Sequence, residues 1–244
     1  MNFSLNSTTN RIVLVCLIAY FLVDGLFRQQ FSGFELFALA HPDFQWWQLL
    51  SSMFLHGSIS HLLLNMFALW SFGQVLERVW GGQRFLVFYL ACGVGAGLIS
   101  LWVNQFQYDH LYQLLLSLGA SANELTQLLD TGRASNALVN LAGETQLREL
   151  YALYHSPMVG ASGAIYGILA AFAILFPNFK VALIFLPIPI AAKFFVPVLL
   201  GIDLLASFTG FSIFGLNIAH YAHLGGAAVG AILVFTWRKS ETPH

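Results

Sequence analysis

The sequence predicts an all-α membrane protein: a bundle of six transmembrane helices with an external interfacial loop and a polar helical insert between the third and fourth helices. Composition is the first observation behind this prediction, because 58% of the 244 residues are hydrophobic and 9% are charged, far outside the range of soluble globular domains. Distribution is the second, because the apolar residues fall into separate runs that approach the roughly 20 residues a spanning helix needs. The natural count is one membrane domain, residues 1–244.

The first apolar run, residues 12–27, is predicted to be the first transmembrane helix. A signal peptide has a similar position and composition, but this run lacks a clear small-residue cleavage site and several further spans follow it. The next stretch, from Arg28 to about Ser52, is rich in aromatic side chains, which is typical of a segment at the membrane interface. We expect this external loop to dip into the membrane without crossing it.

The second and third spans are predicted at residues 58–79 and 85–103. A short turn with two glycines separates them, so they must form an antiparallel hairpin. Residues 104–156 are too polar to span. Leucines recur in this insert at helical spacing, and Ser121 and Glu124 have the spacing of a capping box, so we expect short amphipathic helices that lie against the membrane domain.

The last three spans are separated by a connector and a loop with strong turn signals. Pro187 and Pro189 favour an extended or hairpin connector before the fifth span, and a glycine-containing loop precedes the sixth. The three spans are predicted at residues 162–176, 194–209 and 219–237.

Charge distribution predicts the orientation of the bundle. Six spans place both termini on one side of the membrane, and that side receives most of the basic residues: Arg11, Arg78, Arg84, Lys180, Lys193, Arg238 and Lys239. The other side receives Arg28, Arg133 and Arg148. The positive-inside rule therefore predicts cytoplasmic termini and an external insert. A compact chain of this form, without a transit peptide, suggests a bacterial inner membrane, with a mitochondrial or other eukaryotic membrane as the alternative.

The overall charge and the cysteines exclude several kinds of partner. A net charge of -1 gives no polybasic surface for nucleic acid. Cys16 and Cys92 lie inside apolar runs, where a thiol usually behaves as a small hydrophobic group and not as a disulfide partner or metal ligand. No metal or cofactor is expected.

Three polar clusters lie near the outer ends of the predicted spans. Polar and ionisable groups in hydrocarbon are costly and usually face a cavity or a partner, so these clusters are expected to converge. Small-residue pairs in the fourth and sixth spans, Gly163 with Gly167 and Gly226 with Gly230, would let those helices pack closely. The clusters contain His56, His61 and Asn65; then Gly160, Ser162, Gly163 and Tyr166; and finally His220 and His223.

The residue types in these clusters suit nucleophilic catalysis. A serine hydroxyl needs an adjacent base, and His223 can act as the base for Ser162. The oxyanion that forms needs donors, which the Ser162 backbone at a helix start can supply together with His61 and Asn65. Tyr166, one turn after Ser162, is expected to stack on the histidine ring. Because no carboxylate lies beside these residues in the sequence, the pattern predicts a dyad and not a triad.

These motifs resemble those of the rhomboid intramembrane proteases over residues 11–237. The GxSG motif is Gly160 to Gly163, the HxxxN element is His61 to Asn65 after His56, and the histidine motif is Ala222 to Gly226. The resemblance implies catalytic roles for Ser162 and His223, an oxyanion hole of His61, Asn65 and the Ser162 backbone, and supporting roles for Tyr166, Gly160, Gly163 and His56. Glu77 and Arg78 resemble an acidic–basic pair of the family, whereas Trp47-Gln48 replaces its frequent Trp-Arg.

The resemblance implies a serine endopeptidase that cleaves transmembrane segments of substrate proteins in the lipid bilayer. The alternative is a catalytically inactive rhomboid-like protein that binds or escorts transmembrane helices, although such proteins typically lack the serine or the histidine. A transporter that uses His61, Asn65 and His223 as a proton path is a third reading, and no inverted repeat supports it. Asp203, inside the fifth span, has no partner that the sequence identifies.

Overall fold

The computed structural model describes residues 6–26, 33–183, 186–209 and 220–241. Three sequence predictions fall partly outside these residues: the end of the first span at Phe27, residues 28–32 of the external loop, and the loop at 210–219 before the sixth span. Within the described part the chain is mostly helical. The elements are α1 (Thr8–Tyr20), α2 (Gln48–Ser51), α3 (Ile59–Ala68), α4 (Gln74–Trp80), α5 (Gly82–Ser117), α6 (Ala122–Thr131), α7 (Asn136–Ala142), α8 (Glu144–His155), α9 (Ser162–Leu175), β1 (Lys180–Leu183), β2 (Leu186–Ala191), α10 (Ala192–Thr209) and α11 (His220–Glu241).

Two helices in the described ranges are long and apolar enough to cross a membrane. One is Ile59–Trp80, in which a π-helical turn at Leu69–Gly73 joins α3 to α4, and the other is α5. Thr8–Val23 and α9 are shorter apolar helices. The β1–β2 hairpin pairs Lys180 with Ala191, so the predicted extended connector before α10 is confirmed.

Helix α1 begins on the carboxylate of Glu77, near the end of α4. The first backbone amides of a helix have no partner within the helix and carry its positive dipole end. Here the Thr8 and Thr9 amides donate to the two carboxylate oxygens at 2.6 and 2.9 Å, and the hydroxyls of Ser7 and Thr9 donate at 2.7 and 2.6 Å. Glu77 therefore fixes the start of α1 to the end of the Ile59–Trp80 helix.

Gln48 organises the external loop at the position where the family often has arginine. Its side chain is fully buried, and Nε2 donates to the carbonyls of Gly33 and Asp43 at 2.8 and 2.9 Å. Its Oε1 accepts the amides of Phe37 and Gln45 at 3.3 and 3.0 Å. A neutral amide can both donate and accept, which suits a site lined by backbone groups of both kinds.

Helix α5 is much longer than the predicted third span. The prediction that residues 104–156 form only short helices is therefore wrong for the first part of that segment, which continues α5. The helix has 36 residues and continues to Ser117, because no glycine or proline interrupts the sequence between Gly97 and Gly119. Its last turns carry Leu111 and Leu115 into the core of the insert. The rest of the insert forms α6, α7 and α8, and the Ser121–Glu124 capping box is present as predicted.

Among the described residues, α9 and α11 pack against each other more extensively than any other pair of helices. A Cβ added to Gly226 would collide with the backbone carbonyl of Gly163, and one added to Gly230 would lie 2.6 Å from the Gly167 Cα. The predicted small-residue pairs therefore face each other, and the two backbones are in direct contact. Apolar side chains gain little from leaving lipid for a protein interface, so close packing of this kind has to supply the attraction between helices.

Candidate active site

Ser162 and His223 meet where α9 and α11 begin. Ser162 is the first residue of α9, His223 lies in the first turn of α11, and Ser162 Oγ is 2.8 Å from His223 Nε2. The contact depends on the glycine packing one turn further along, which brings the two helix starts together. His223 is 8% exposed, so the base is screened from most solvent, whereas Ser162 is partly buried.

Tyr166 covers one face of the His223 ring. The two rings are nearly parallel, with an interplanar angle of 10° and centroids 4.1 Å apart, so the stacking expected from the sequence is present. Tyr166 follows Ser162 by one helical turn on the same face of α9. The stack therefore keeps the imidazole from tilting out of the plane in which it points at Ser162.

Hydrogen-bond donors lie around Gly160, two residues before Ser162, since a Cβ added to Gly160 would lie 2.9 Å from His61 Nε2 and 3.6 Å from Asn65 Nδ2. The Ser162 amide belongs to the first turn of α9, where backbone N–H groups have no partner within the helix. Asn65 is 7% exposed, and its Nδ2 atom has no hydrogen-bond acceptor among the described residues. A buried donor without a partner normally costs about 1–3 kcal/mol, so a well-ordered one next to a nucleophile marks a place for a negatively charged oxygen.

Gly160 keeps the space between these donors open. Its φ of 130° is a backbone conformation that L side chains rarely adopt, and an added Cβ would lie 2.8 Å from Cε1 and 2.9 Å from Nε2 of His61. Its amide donates to the Ser52 carbonyl at 2.9 Å, which fixes the segment that leads into Ser162. Glycine is required here both by conformation and by the nearness of the imidazole.

His56 packs against the His61 ring. It is 2% exposed, and its ring meets the His61 ring edge to face at a centroid distance of 5.2 Å and an angle of 66°. His61 follows the start of α3, where the Ser58 hydroxyl accepts the His61 amide at 3.2 Å. These contacts hold the His61 ring toward Gly160.

Sequence reasoning missed one residue of the site, Asp203 of α10. Its Oδ1 atom lies 3.3 Å from His223 Nδ1 and 2.6 Å from His220 Nδ1, and the residue is 5% exposed. The prediction of a dyad rests on carboxylates that lie beside the motif residues in the sequence, whereas Asp203 precedes His223 by 20 positions. The signal that could have found it was an ionisable residue inside an apolar span, which must have a partner.

Asp203, His220 and His223 also have the donor types of a metal site, since one ligand atom of each lies within 4.8 Å of the others. The same atoms are engaged in hydrogen bonds with one another, and His223 Nε2 is in contact with Ser162. This arrangement is suited to holding and moving protons, and the hydrogen bonds account for it without an ion.

Comparison with known proteins adds to this geometry. A family model described as "Rhomboid domain" matches residues 43–128 and 131–240. The chain is similar to "Rhomboid protein 1, mitochondrial" of Saccharomyces cerevisiae, with 29% identity over 193 residues that cover 79% of this chain and 42% of the yeast protein. It is also similar to the human "Presenilin-associated rhomboid-like protein, mitochondrial", with 28% identity over 199 residues that cover 79% and 40% of the two chains.

A shorter and more similar match is with "Rhomboid protease GluP" of Bacillus subtilis, at 46% identity over 56 residues, or 23% of this chain and 11% of that protein. The chain spans about two fifths of the length of the two mitochondrial relatives.

Proposed function

We propose that this protein is an intramembrane serine endopeptidase that cleaves transmembrane segments of other membrane proteins. The chain belongs to the rhomboid family and is therefore an integral membrane protein. The observation that carries the proposal is the 2.8 Å contact between Ser162 Oγ and His223 Nε2. Near it, beside Gly160, lies the buried Nδ2 atom of Asn65, which has no acceptor among the described residues. A serine, a base and a free donor in one place are the parts that acyl transfer requires.

The proposed reaction begins when Ser162 Oγ attacks the carbonyl carbon of the scissile peptide bond. His223 Nε2 takes the hydroxyl proton as the bond between oxygen and carbon forms, and then gives that proton to the leaving amine as the carbon–nitrogen bond breaks. A water molecule attacks the resulting ester in the same way, with His223 again as the base. The product acid is released and the Ser162 hydroxyl is restored.

The oxyanion of each tetrahedral stage would accept hydrogen bonds from the Ser162 amide, the Asn65 side chain and the His61 ring. The dipole of α9 adds to this stabilisation, because its positive end lies at Ser162. Donors that are already fixed require no reorganisation during the reaction. Leaving these donors without partners costs the resting protein some stability, and their hydrogen bonds to the oxyanion offset that cost at the transition state.

Substrates of such a site are transmembrane helices that unwind locally. A carbonyl within an intact helix already accepts a hydrogen bond, and its neighbouring side chains block approach, so segments that are easily unwound and carry small side chains are the expected targets. The proposed partners are therefore transmembrane protein substrates within the lipid bilayer.

The proposed topology is the six-helix bundle, with both termini and the β1–β2 hairpin on the cytoplasmic side and the insert outside. The basic residues support this orientation, and a bacterial cell membrane is the proposed location. The similar proteins include mitochondrial ones as well as one from a bacterium, so the inner side would be the matrix if the chain is mitochondrial. Reporter fusions after residue 131 and after residue 241 test the orientation, since the two should report opposite sides.

The test of the activity is covalent labelling of the detergent-purified protein with a fluorophosphonate, followed by intact-mass measurement. Wild type should gain one adduct, and Ser162→Ala and His223→Ala should gain none. Ser156→Ala is a matched control, because Ser156 lies exposed before the same motif and should leave the adduct unchanged. An adduct that survives Ser162→Ala would overturn the assignment of the nucleophile.

The absence of any adduct on folded wild-type protein would overturn the protease proposal itself. Binding of a fluorescent transmembrane peptide would then test the inactive helix-binding protein. Peptide binding without cleavage by wild type, unchanged in Ser162→Ala, is the result expected for that alternative.

A further inference from the structure

We infer that Asp203 is a positioning residue of this site, whose carboxylate accepts the Nδ1 hydrogen of His223 and so leaves Nε2 free to take the proton of Ser162. The inference rests on the proposed function and adds a third member to its hydrogen-bonded chain. Asp203 comes from α10, a helix that contributes no other group to the arrangement described above.

The order of the atoms carries the argument. Ser162 Oγ lies 2.8 Å from His223 Nε2. On the other side of the same ring, His223 Nδ1 lies 3.3 Å from Asp203 Oδ1. A neutral imidazole has one hydrogen, and if Nε2 accepts the serine hydrogen, that single hydrogen must be on Nδ1. Without an acceptor at Nδ1 the other tautomer is equally available, and that tautomer cannot act as a base toward Ser162.

His220 fixes the carboxylate. Its Nδ1 lies 2.6 Å from the same Oδ1 atom, and it occupies the first turn of α11 three residues before His223, on the same face. Two ring N–H donors from one helix therefore converge on a single oxygen from another. An unpaired charge at this depth would be costly, and the two donors on Oδ1 reduce that cost.

The consequence for the reaction is electrostatic. When His223 holds the proton of Ser162 it becomes an imidazolium, and a carboxylate at Nδ1 stabilises that charge while it lasts. Asp203 itself takes no proton in this scheme. Around the rest of the ring, Tyr166 stacks on one face, the Ser162 hydroxyl lies at Nε2, and the His220 ring meets it edge to face at a centroid distance of 6.4 Å.

Two substitutions test the inference by separating the hydrogen bond from the charge. Asp203→Leu removes both and should lower the saturating rate of fluorophosphonate labelling by roughly 10²–10⁴-fold, with little change in the concentration that gives half saturation. Asp203→Asn keeps the size and one acceptor and should fall between Asp203→Leu and wild type. Ser207→Ala, one turn along α10, is the matched control and should label at the wild-type rate.

A spectroscopic readout separates positioning from a general loss of structure. Nitrogen NMR of ¹⁵N-histidine-labelled protein, with His223 assigned from the His223→Gln spectrum, should show its hydrogen on Nδ1 in wild type and a mixture of tautomers in Asp203→Leu. A wild-type hydrogen on Nε2, or a folded Asp203→Leu protein that labels within about threefold of wild type, would overturn the inference.

The same experiments keep this inference distinct from the proposed function. If wild-type protein is not labelled at all, the protease proposal fails, and the tautomer of His223 still decides whether Asp203 holds the Nδ1 hydrogen. If wild type is labelled at Ser162 and Asp203→Leu is labelled equally well, the protease proposal stands and the inference fails alone.

Discussion

The insert and the membrane core are built from helices of the same kind, but different forces hold them together. The insert has a core rich in leucine, formed by the end of α5 with α6, α7 and α8. The contact between α9 and α11 instead depends on glycines whose backbones touch. Water drives leucines together, whereas apolar side chains gain little by leaving lipid, so at the contact between α9 and α11 small residues and close backbones supply the attraction. Elsewhere in the membrane core large side chains such as Phe85 and Phe88 are fully buried.

The starts of the helices differ in how far away in the sequence their capping groups lie. Helices α6 and α7 begin with Ser121 and Ser135, whose own side chains cap the first turn. Helix α1 also has a local serine cap, yet it depends in addition on Glu77 from 68 to 70 residues away in the sequence. Local serine caps occur in both regions, since Ser58 caps α3 as well, and the distant Glu77 carboxylate adds a coupling between α1 and α4 that a local cap cannot supply.

The largest effect is expected from adding one methyl group between α9 and α11. In Gly226→Ala the new Cβ meets the Gly163 carbonyl, so α11 must move away and carry His223 from Ser162. We expect labelling of Ser162 to be lost and the free energy of unfolding to fall by about 3 kcal/mol. Thermal unfolding in detergent and adduct formation measure these two effects.

Gly201→Ala is the matched control for that change, because no atom lies within 4 Å of the Cβ it would add. It should match wild type in both measurements. Equal behaviour of the two alanine variants would contradict the claim that backbone contact holds the core together.

The next effect is expected in the insert and nowhere else. Leu125 is fully buried, and Leu125→Ala should destabilise the insert by about 2–3 kcal/mol through lost burial and a residual cavity. Hydrogen exchange should speed up in α6 to α8, while the rate of Ser162 labelling stays the same. Leu141→Ala, at a leucine that is 44% exposed, should change neither quantity. A parallel loss of labelling in Leu125→Ala would show that the two regions are one cooperative unit.

A smaller effect is expected where α1 meets α4. Glu77→Gln replaces an acceptor of four hydrogen bonds by an amide whose NH₂ group faces the same donors, so we expect a loss of about 2 kcal/mol in the free energy of unfolding. Exposed Glu149 provides the control variant Glu149→Gln, which should unfold like wild type. Unchanged stability of Glu77→Gln would show that the local serine cap alone is sufficient for α1.

The smallest effect concerns the pH dependence of α6. The Ser121 hydroxyl and amide hydrogen-bond to the Glu124 carboxylate and lower its pKa. A lowered folded-state pKa contributes stability that is present above the ordinary glutamate pKa and is lost as the pH falls through the folded value. We therefore expect the protection of the α6 amides, relative to their intrinsic exchange rate at each pH, to fall below about pH 4.

Ser121→Ala should cost about 1 kcal/mol at neutral pH and should weaken this acid dependence. The control is Ser117→Ala, since the Ser117 hydroxyl donates to the Leu114 carbonyl at 2.7 Å and has no contact with Glu124. An acid response in Ser121→Ala equal to that of wild type would show that other carboxylates cause it.

The sequence predicts local features of this protein well and contacts between distant residues only where a motif marks them. The capping box, the connector hairpin and the glycine pairs were predicted because each depends on residues a few positions apart. The length of α5 was underestimated, since falling hydropathy marks where a span leaves the membrane and not where its helix ends. Polarity and helical continuity are separate properties, and only glycine or proline would have marked the end.

The candidate site divides in the same way. Motif and spacing predict that Ser162 and Tyr166 both contact His223, and both contacts are present. Asp203 was noticed as a costly residue, but nothing in its local sequence identifies the two histidines that it meets. Likewise, Gln48 was predicted only as a departure from the family pattern, and its four hydrogen bonds depend on how the loop folds around it.

The length of α5 has a consequence for what can reach the site. A helix of 36 residues is about 54 Å long, and a bilayer core accounts for about 30 Å of it. In the orientation proposed, the remainder lies above the outer membrane surface, and α8 packs alongside it, where Asn104 Nδ2 donates to the Leu153 carbonyl at 3.0 Å. Under the proposed protease function, we expect a substrate with a bulky folded domain directly above its membrane segment to meet this projection and to be excluded by size.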